Sequence, residues 1–121
     1  LFTREFYGNC WKALCEDGIL INQHESPFYS EHSQSVKNAH KHIANIFGLS
    51  MIYQAHIPSY PSGHWLFGFA SKRYHPLKHL RARAWNALKI PTHYYNTDLH
   101  RGGFALPSYV RELLGQKAAN A

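Results

Sequence analysis

Residues 49–71 read LSMIYQAHIPSYPSGHWLFGFAS, two apolar runs separated by a cluster of turn formers. Leu49 to Ile57 reads as a strand, with Met51, Tyr53 and Ala55 on one side. Pro58-Ser59-Tyr60-Pro61-Ser62-Gly63 supplies the proline, serine and glycine that reverse a chain, and Trp65 to Ser71 reads as a second, aromatic-rich strand. Two such runs joined by a short turn predict an antiparallel hairpin. Upstream, Val36, Ala39, Ile43, Ile46 and Phe47 recur at helical spacing and predict a helix over 35–47, stopped by Gly48. Before it, Ile19-Leu20-Ile21 is a short continuous apolar run, which suits a strand covered on both faces, as in a parallel sheet. Thr3 is a plausible N-cap for a first helix whose apolar face is Phe6, Tyr7, Cys10, Trp11 and Leu14, ended by Asp17-Gly18.

Downstream, Pro76 suits the first turn of a helix running to Leu88, with Leu77, Leu80, Ala84, Trp85 and Leu88 as its apolar positions. Residues 92–103 read as a loop with a short strand at Tyr94-Tyr95. Pro107 opens a last helix through Leu114, and residues 116–121 form a tail. The order helix, strand, helix, strand, strand, helix, helix predicts an α/β domain over residues 1–115, its sheet closed by the antiparallel hairpin. One difficulty follows. Ile19-Leu20-Ile21 would have an unpaired apolar edge, which native sheets avoid. More sheet is therefore expected beside it, from upstream in a longer chain or from another chain.

Composition narrows the function classes. Hydrophobic residues make up 45% and charged residues 17% of the 121, a globular balance. The formal net charge of +6 raises the question of an anionic partner. Six of the thirteen Lys and Arg fall between Lys72 and Lys89, on a stretch that also reads as an amphipathic helix. A solvated outer face is therefore preferred, and nucleic acid is set aside because no stacking platform or recognition motif accompanies the charge. Cys10 and Cys15, five apart on one helix, are not placed for a disulfide and read as small core residues of a reducing compartment. No apolar run approaches the roughly 18 residues of a membrane span. A cytoplasmic location is expected.

Ten histidines invite a metal, but only His75 and His79 have a suggestive spacing, and no carboxylate or cysteine completes a ligand set nearby. No metal is expected. There is no phosphate-binding glycine loop and no nucleophile elbow. Two loops stand out instead. Asn22-Gln23-His24-Glu25-Ser26-Pro27 lies past the carboxyl end of the first strand, where open α/β sheets bind ligands, and its amide and carboxylate suit an amine. Tyr60-Pro61-Ser62-Gly63-His64-Trp65 offers a hydroxyl and an apolar slab on a stiff backbone, which suits a methylene chain with a polar end. Taken alone, each is equally a self-satisfied loop or an aromatic cluster under a tight turn.

At these residues the chain resembles the C-terminal part of the spermidine synthases, the polyamine aminopropyltransferases. The matching stretches are Gly18 to Pro27, Ile57 to Trp65, Phe69-Ala70-Ser71-Lys72, Tyr94-Tyr95-Asn96-Thr97-Asp98-Leu99-His100 and Phe104-Ala105-Leu106-Pro107, in the family's order. The resemblance implies the C-terminal portion of a Rossmann-like, methyltransferase-type domain. It implies transfer of an aminopropyl group from decarboxylated S-adenosylmethionine, a co-substrate rather than a cofactor, to putrescine, giving spermidine and methylthioadenosine. By the family pattern Gln23 and Tyr60 hold the diamine's amino group and Trp65 lines the slot for its methylenes, with Glu25 near the same pocket. The glycine-rich nucleoside segment and the carboxylate that deprotonates the attacking amine belong to a preceding part of the family, so neither Asp17 nor Asp98 is expected to act as the base. A dimer or tetramer is implied. This chain alone is expected to be inactive. The alternatives are another acceptor amine or a non-catalytic basic binding module.

Overall fold

The computed structural model describes residues 3–28 and 30–116. Helix α1 (Arg4–Ala13) is capped by Thr3, whose hydroxyl accepts the Phe6 N–H at 3.2 Å. Strand β1 (Ile19–Gln23), helix α2 (Ser30–Ile46) and strands β2 (Leu49–His56) and β3 (His64–Ser71) follow. Three short helices close the chain: α3 (Ala82–Ala87), α4 (Thr97–Gly103) and α5 (Ser108–Leu113). The sheet has the order β1-β3-β2 and both pairings are antiparallel. The β2–β3 hairpin is as expected. β1 departs from expectation: it pairs antiparallel with β3, and its side chains alternate in exposure instead of being covered on both faces. Ile19 and Ile21 are 42% and 49% exposed, and β1 is an edge strand among the described residues.

The register sorts the side chains. Leu20, Asn22, Ile52, Leu66, Gly68 and Ala70 share one face, because strand partners and alternate residues point the same way. That face meets α1 and α2 through one cluster of Tyr7, Ile43, Phe47 and Ala70. It meets α2 and α5 through a second, of Val36, Ile52, Leu66 and Val110. On the opposite face Tyr53 stacks on Phe67 with ring centroids 5.3 Å apart, and Phe104, just past α4, packs on Tyr53 and Phe69. The sheet thus has α1, α2 and α5 on one side and the α4 segment on the other.

Several expectations are corrected. The helix expected from Pro76 to Leu88 is regular only over Ala82–Ala87. Before it, imidazoles take over the carbonyls' work: His75 Nδ1 accepts the N–H groups of Leu77 and Lys78, and His79 Nδ1 accepts that of His75. Residues 97–103, expected as loop, form α4, with Asn96 Oδ1 accepting the Leu99 N–H at 2.7 Å. Tyr94 and Tyr95 form no strand; the Tyr94 hydroxyl accepts the His56 N–H at 3.0 Å from outside the sheet. The α1 face is thinner than its spacing suggests. Only Tyr7 is buried there, Phe6 and Trp11 are exposed, and Trp11 lies under the Lys72 ammonium, 4.2 Å from its ring centre. Cys15 is exposed and Cys10 half-buried, so Cys15 is no core residue. The expected tail beyond Gln116 lies outside the described residues. No helix among the described residues is long and apolar enough to cross a membrane.

Candidate functional site

The two loops singled out in the sequence come together at one end of the sheet. β1 does not stop cleanly at Gln23: His24 N–H donates to Leu66 O at 2.9 Å and Leu66 N–H to Glu25 O at 3.3 Å, so residues 23–25 run beside Trp65 and Leu66. Gln23 pairs in register with Phe67 and therefore stands on the sheet face that also carries Trp65. Gln23 is exposed and Glu25 half-buried; with His24 and Asn22 they border a small cleft of about 40 Å³ against Tyr7, Ser35 and Val36.

The hairpin turn holds the other two residues. Tyr60 N–H donates to Ile57 O, and Gly63 N–H donates to Tyr60 O at 3.1 Å. The second bond closes a turn over residues 60–63 with Pro61 in its second position. Ser62, in its third, has φ +67°, and Gly63 follows at φ +70°. A turn of this kind favours proline second and glycine third; a serine in the left-handed region costs about 1 kcal/mol or more. Trp65 is 9% exposed, and its indole N–H donates to Pro61 O at 3.0 Å. The Tyr60 ring meets it edge-on, with centroids 5.0 Å apart, while Tyr60 itself is 41% exposed. The result is a phenol held at the rim of an indole slab.

A hydroxyl pair joins the loops. Ser26 Oγ lies 2.8 Å from Ser62 Oγ. Ser26 is 1% exposed, so its hydroxyl depends on partners within the protein. Beside this pair, His64 fastens the turn to the rest of the domain. Tyr109 donates its hydroxyl hydrogen to His64 Nδ1 (3.0 Å), His64 Nε2–H donates to Gln54 Oε1 (2.8 Å), and Gln54 Nε2–H donates to Ala105 O (3.2 Å). Burial, aided by the nearby His56, lowers the His64 pKa, which favours the neutral ring this chain requires. Neither the serine pair nor the histidine chain was marked by the sequence, because both join residues ten or more positions apart.

Behind the first loop, Asn22 Nδ2–H donates to His24 Nε2 at 3.2 Å. His24 is buried and its pKa falls to about 4, chiefly by desolvation and secondly through His40. Gly68 makes room for the pair: a methyl group there would overlap Asn22 Oδ1 and crowd the imidazole.

A separate cavity of about 270 Å³ lies between the sheet and α4, lined by Ile21, Tyr53, Phe69, Tyr94, Leu99 and Phe104 among others; none of Gln23, Glu25, Tyr60 and Trp65 borders it. Above it, His100 is locked in one tautomer, its Nε2–H donating to Pro76 O and its Nδ1 accepting from the Tyr95 hydroxyl, both at 2.8 Å. No group of three or more metal-ligating side chains gathers among the described residues. Glu25 is half-buried, whereas Glu5, Glu16, Asp17 and Glu112 are open to solvent and Asp98 faces Arg101 in an exposed pair.

The chain is an α/β layer closed by an antiparallel hairpin, with an amide, a phenol and an indole at one end of its sheet. The family follows from comparison. The model of the spermine/spermidine synthase domain matches residues 1–79, and the chain belongs to that family. It is 72% identical over 115 residues to a polyamine aminopropyltransferase of Lachnoclostridium phytofermentans, covering 95% of this chain and 41% of that protein. It is 67% identical over 114 residues to the polyamine aminopropyltransferase of Alkaliphilus oremlandii, covering 94% and 40%. Among solved structures, spermidine synthase from Thermotoga maritima superposes with a TM-score of 0.88 at 37% identity, over 95% of this chain and 39% of that one. A spermidine synthase in complex with the transition-state analogue AdoDATO superposes equally well, with the same identity and coverage. The chain thus spans about two-fifths of the length of these relatives.

Proposed function

We propose that this chain is the acceptor-holding part of a polyamine aminopropyltransferase, acting within a longer enzyme that transfers an aminopropyl group from decarboxylated S-adenosylmethionine to putrescine. The observation that carries this reading is the meeting of the Gln23–Ser26 loop with the Tyr60–Trp65 turn at one end of the sheet. In this assignment the Gln23 amide and the Tyr60 hydroxyl take hydrogen bonds from one end of the diamine. Trp65 lies along its methylenes, and Glu25 adds negative charge nearby.

The chemistry asks little more of this part. The amine nitrogen attacks the carbon beside the sulfonium, the carbon–sulfur bond breaks with its electrons going to sulfur, and methylthioadenosine leaves as a neutral thioether. The new ammonium then sheds a proton, giving spermidine. The leaving group is already activated, so catalysis is a matter of positioning and proton removal. The base is assigned to a preceding segment of the family, which accords with the exposure of Asp17 and Asp98. The length of the slot selects among acceptor amines, and much of that slot is assigned to the same segment.

The test is an acceptor profile of an enzyme of full family length carrying these 121 residues, with Tyr60→Phe beside it. Putrescine is the expected acceptor. Tyr60→Phe is expected to raise the putrescine KM by about tenfold, the loss of one hydrogen bond to a charged or polar amine, while leaving the KM for the sulfonium donor within twofold. Equal loss on both substrates, or none, would remove Tyr60 from the acceptor site.

A further inference from the structure

We infer that Ser26 and Ser62 form a clasp that sets the spacing between the two halves of the acceptor site, and that Ser62 is kept at a strained position for its hydroxyl. The inference rests on the acceptor-site reading above and names positioning residues for it.

The first ground is conformational. Ser62 occupies the third position of the turn closed by Gly63 N–H to Tyr60 O, at φ +67°. Glycine takes that conformation freely, and every other residue pays a steric penalty for it. The residue found there carries a hydroxyl instead, and the hydroxyl is used: it lies 2.8 Å from Ser26 Oγ.

The second ground is the closed set of bonds. Ser62 Oγ lies 3.3 Å from both the N–H and the carbonyl oxygen of His64, and Phe28 N–H donates to Ser26 Oγ at 3.4 Å. One arrangement satisfies all of them. Ser26 donates to Ser62, Ser62 donates to the His64 carbonyl, and the two backbone N–H groups feed the two oxygens. Ser26, 1% exposed, is buried and relies on Ser62 as its acceptor, while Ser62 itself stands exposed on the turn. The third ground is location. Ser26 is three residues from Gln23 and one from Glu25, and Ser62 stands between Tyr60 and Trp65. A bond between positions 26 and 62 therefore fixes the distance between an amide on one strand end and a phenol and indole on the turn. Neither serine is itself assigned to touch the diamine.

The experiment uses the full-length enzyme with Ser26→Ala, Ser62→Gly and the double variant. Ser62→Gly removes the hydroxyl while relieving the backbone, so its melting temperature is expected to equal or exceed that of the wild type. Each single change is expected to raise the putrescine KM by about fivefold, the loss of one net hydrogen bond, with the donor KM within twofold. The double variant is expected to be no worse than either single one, because the two act through one contact. Losses that multiply in the double variant, or single variants that leave the putrescine KM unchanged, would overturn the clasp.

Backbone hydrogen exchange separates this from the function itself. Ser26→Ala is expected to speed exchange at the His64 amide, thirty-eight positions away, as well as at Phe28; a change confined to residues near 26 would overturn the clasp whatever the activity. If the wild type transfers no aminopropyl group, the functional reading falls, and the clasp is then decided by exchange alone.

Discussion

His24 sits between Gln23, assigned to hold an amine, and Glu25, assigned to add charge nearby, yet the protein strips it of charge. Its imidazole is 6% exposed, accepts from Asn22, and titrates near pH 4. In the unfolded chain the same ring titrates at about 6.5. Above pH ~6.5 it is neutral in both states and its contribution to stability is fully present. As the pH falls from about 6.5 toward 4, only the unfolded chain takes up the proton, and stability is lost, by up to on the order of 3 kcal/mol. Half-buried His40, also lowered by desolvation, adds to the loss in the same direction. Urea unfolding at pH 7 and pH 5 should show this decline in the wild type and a smaller one in His24→Gln. Equal declines would place its source elsewhere. A neutral His24 also adds no positive charge beside the site proposed for the diamine.

At the scale of elements, α4 is the piece that most depends on one side chain. It has seven residues, too few to be stable alone, and Asn96 supplies its N-cap. Asn96→Ala should cost about 1 kcal/mol, read as a lower urea midpoint, and Asn96→Asp should restore most of it. An unchanged midpoint for the alanine variant would mean that packing of Leu99 and Phe104 holds the helix unaided. This cap explains what could be read in the sequence. The hairpin and α2 were legible because Val36, Ala39, Ile43 and Phe47 repeat every three or four residues and the turn formers are concentrated at 58–63; β1 was legible as a strand, but its antiparallel pairing and exposed face were not. α4 was not legible: Gly102 and Gly103 lower helix propensity, and the cap became visible only in place. A side chain at Gly103 would come to 3.2 Å from Gln54 O on β2, a tight tertiary approach with no local signature. The helix expected from Pro76 failed for a related reason, since His75 and His79 serve the backbone there with side-chain nitrogens. Of the candidate site, Gln23, Tyr60 and Trp65 were named through family likeness, and the structure brings their two loops to one end of the sheet. The serine pair and the His64 chain were not, because hydrogen bonds between distant positions leave no periodicity behind.

For the whole molecule, the decisive feature is where its carboxylates stand. The described residues make a layered domain with two apolar clusters, in which Glu5, Glu16, Asp17, Asp98 and Glu112 are exposed and Glu25 is half-buried, so none of these six is enclosed to deprotonate an amine. Residues 1–121 expressed alone should therefore release no methylthioadenosine above background, while a chain of full family length should. Robust turnover by the short chain would place the base within it. The basic residues from Arg73 to Lys89 are exposed at the described surface, in keeping with a solvated face. The indole at position 65 has one more consequence. It is the only one of the three tryptophans that is buried, its N–H is tied to Pro61, and a phenol abuts its edge. Its emission should lie to the blue of the other two, so occupation of the neighbouring slot would be readable as a wavelength shift, with no label attached.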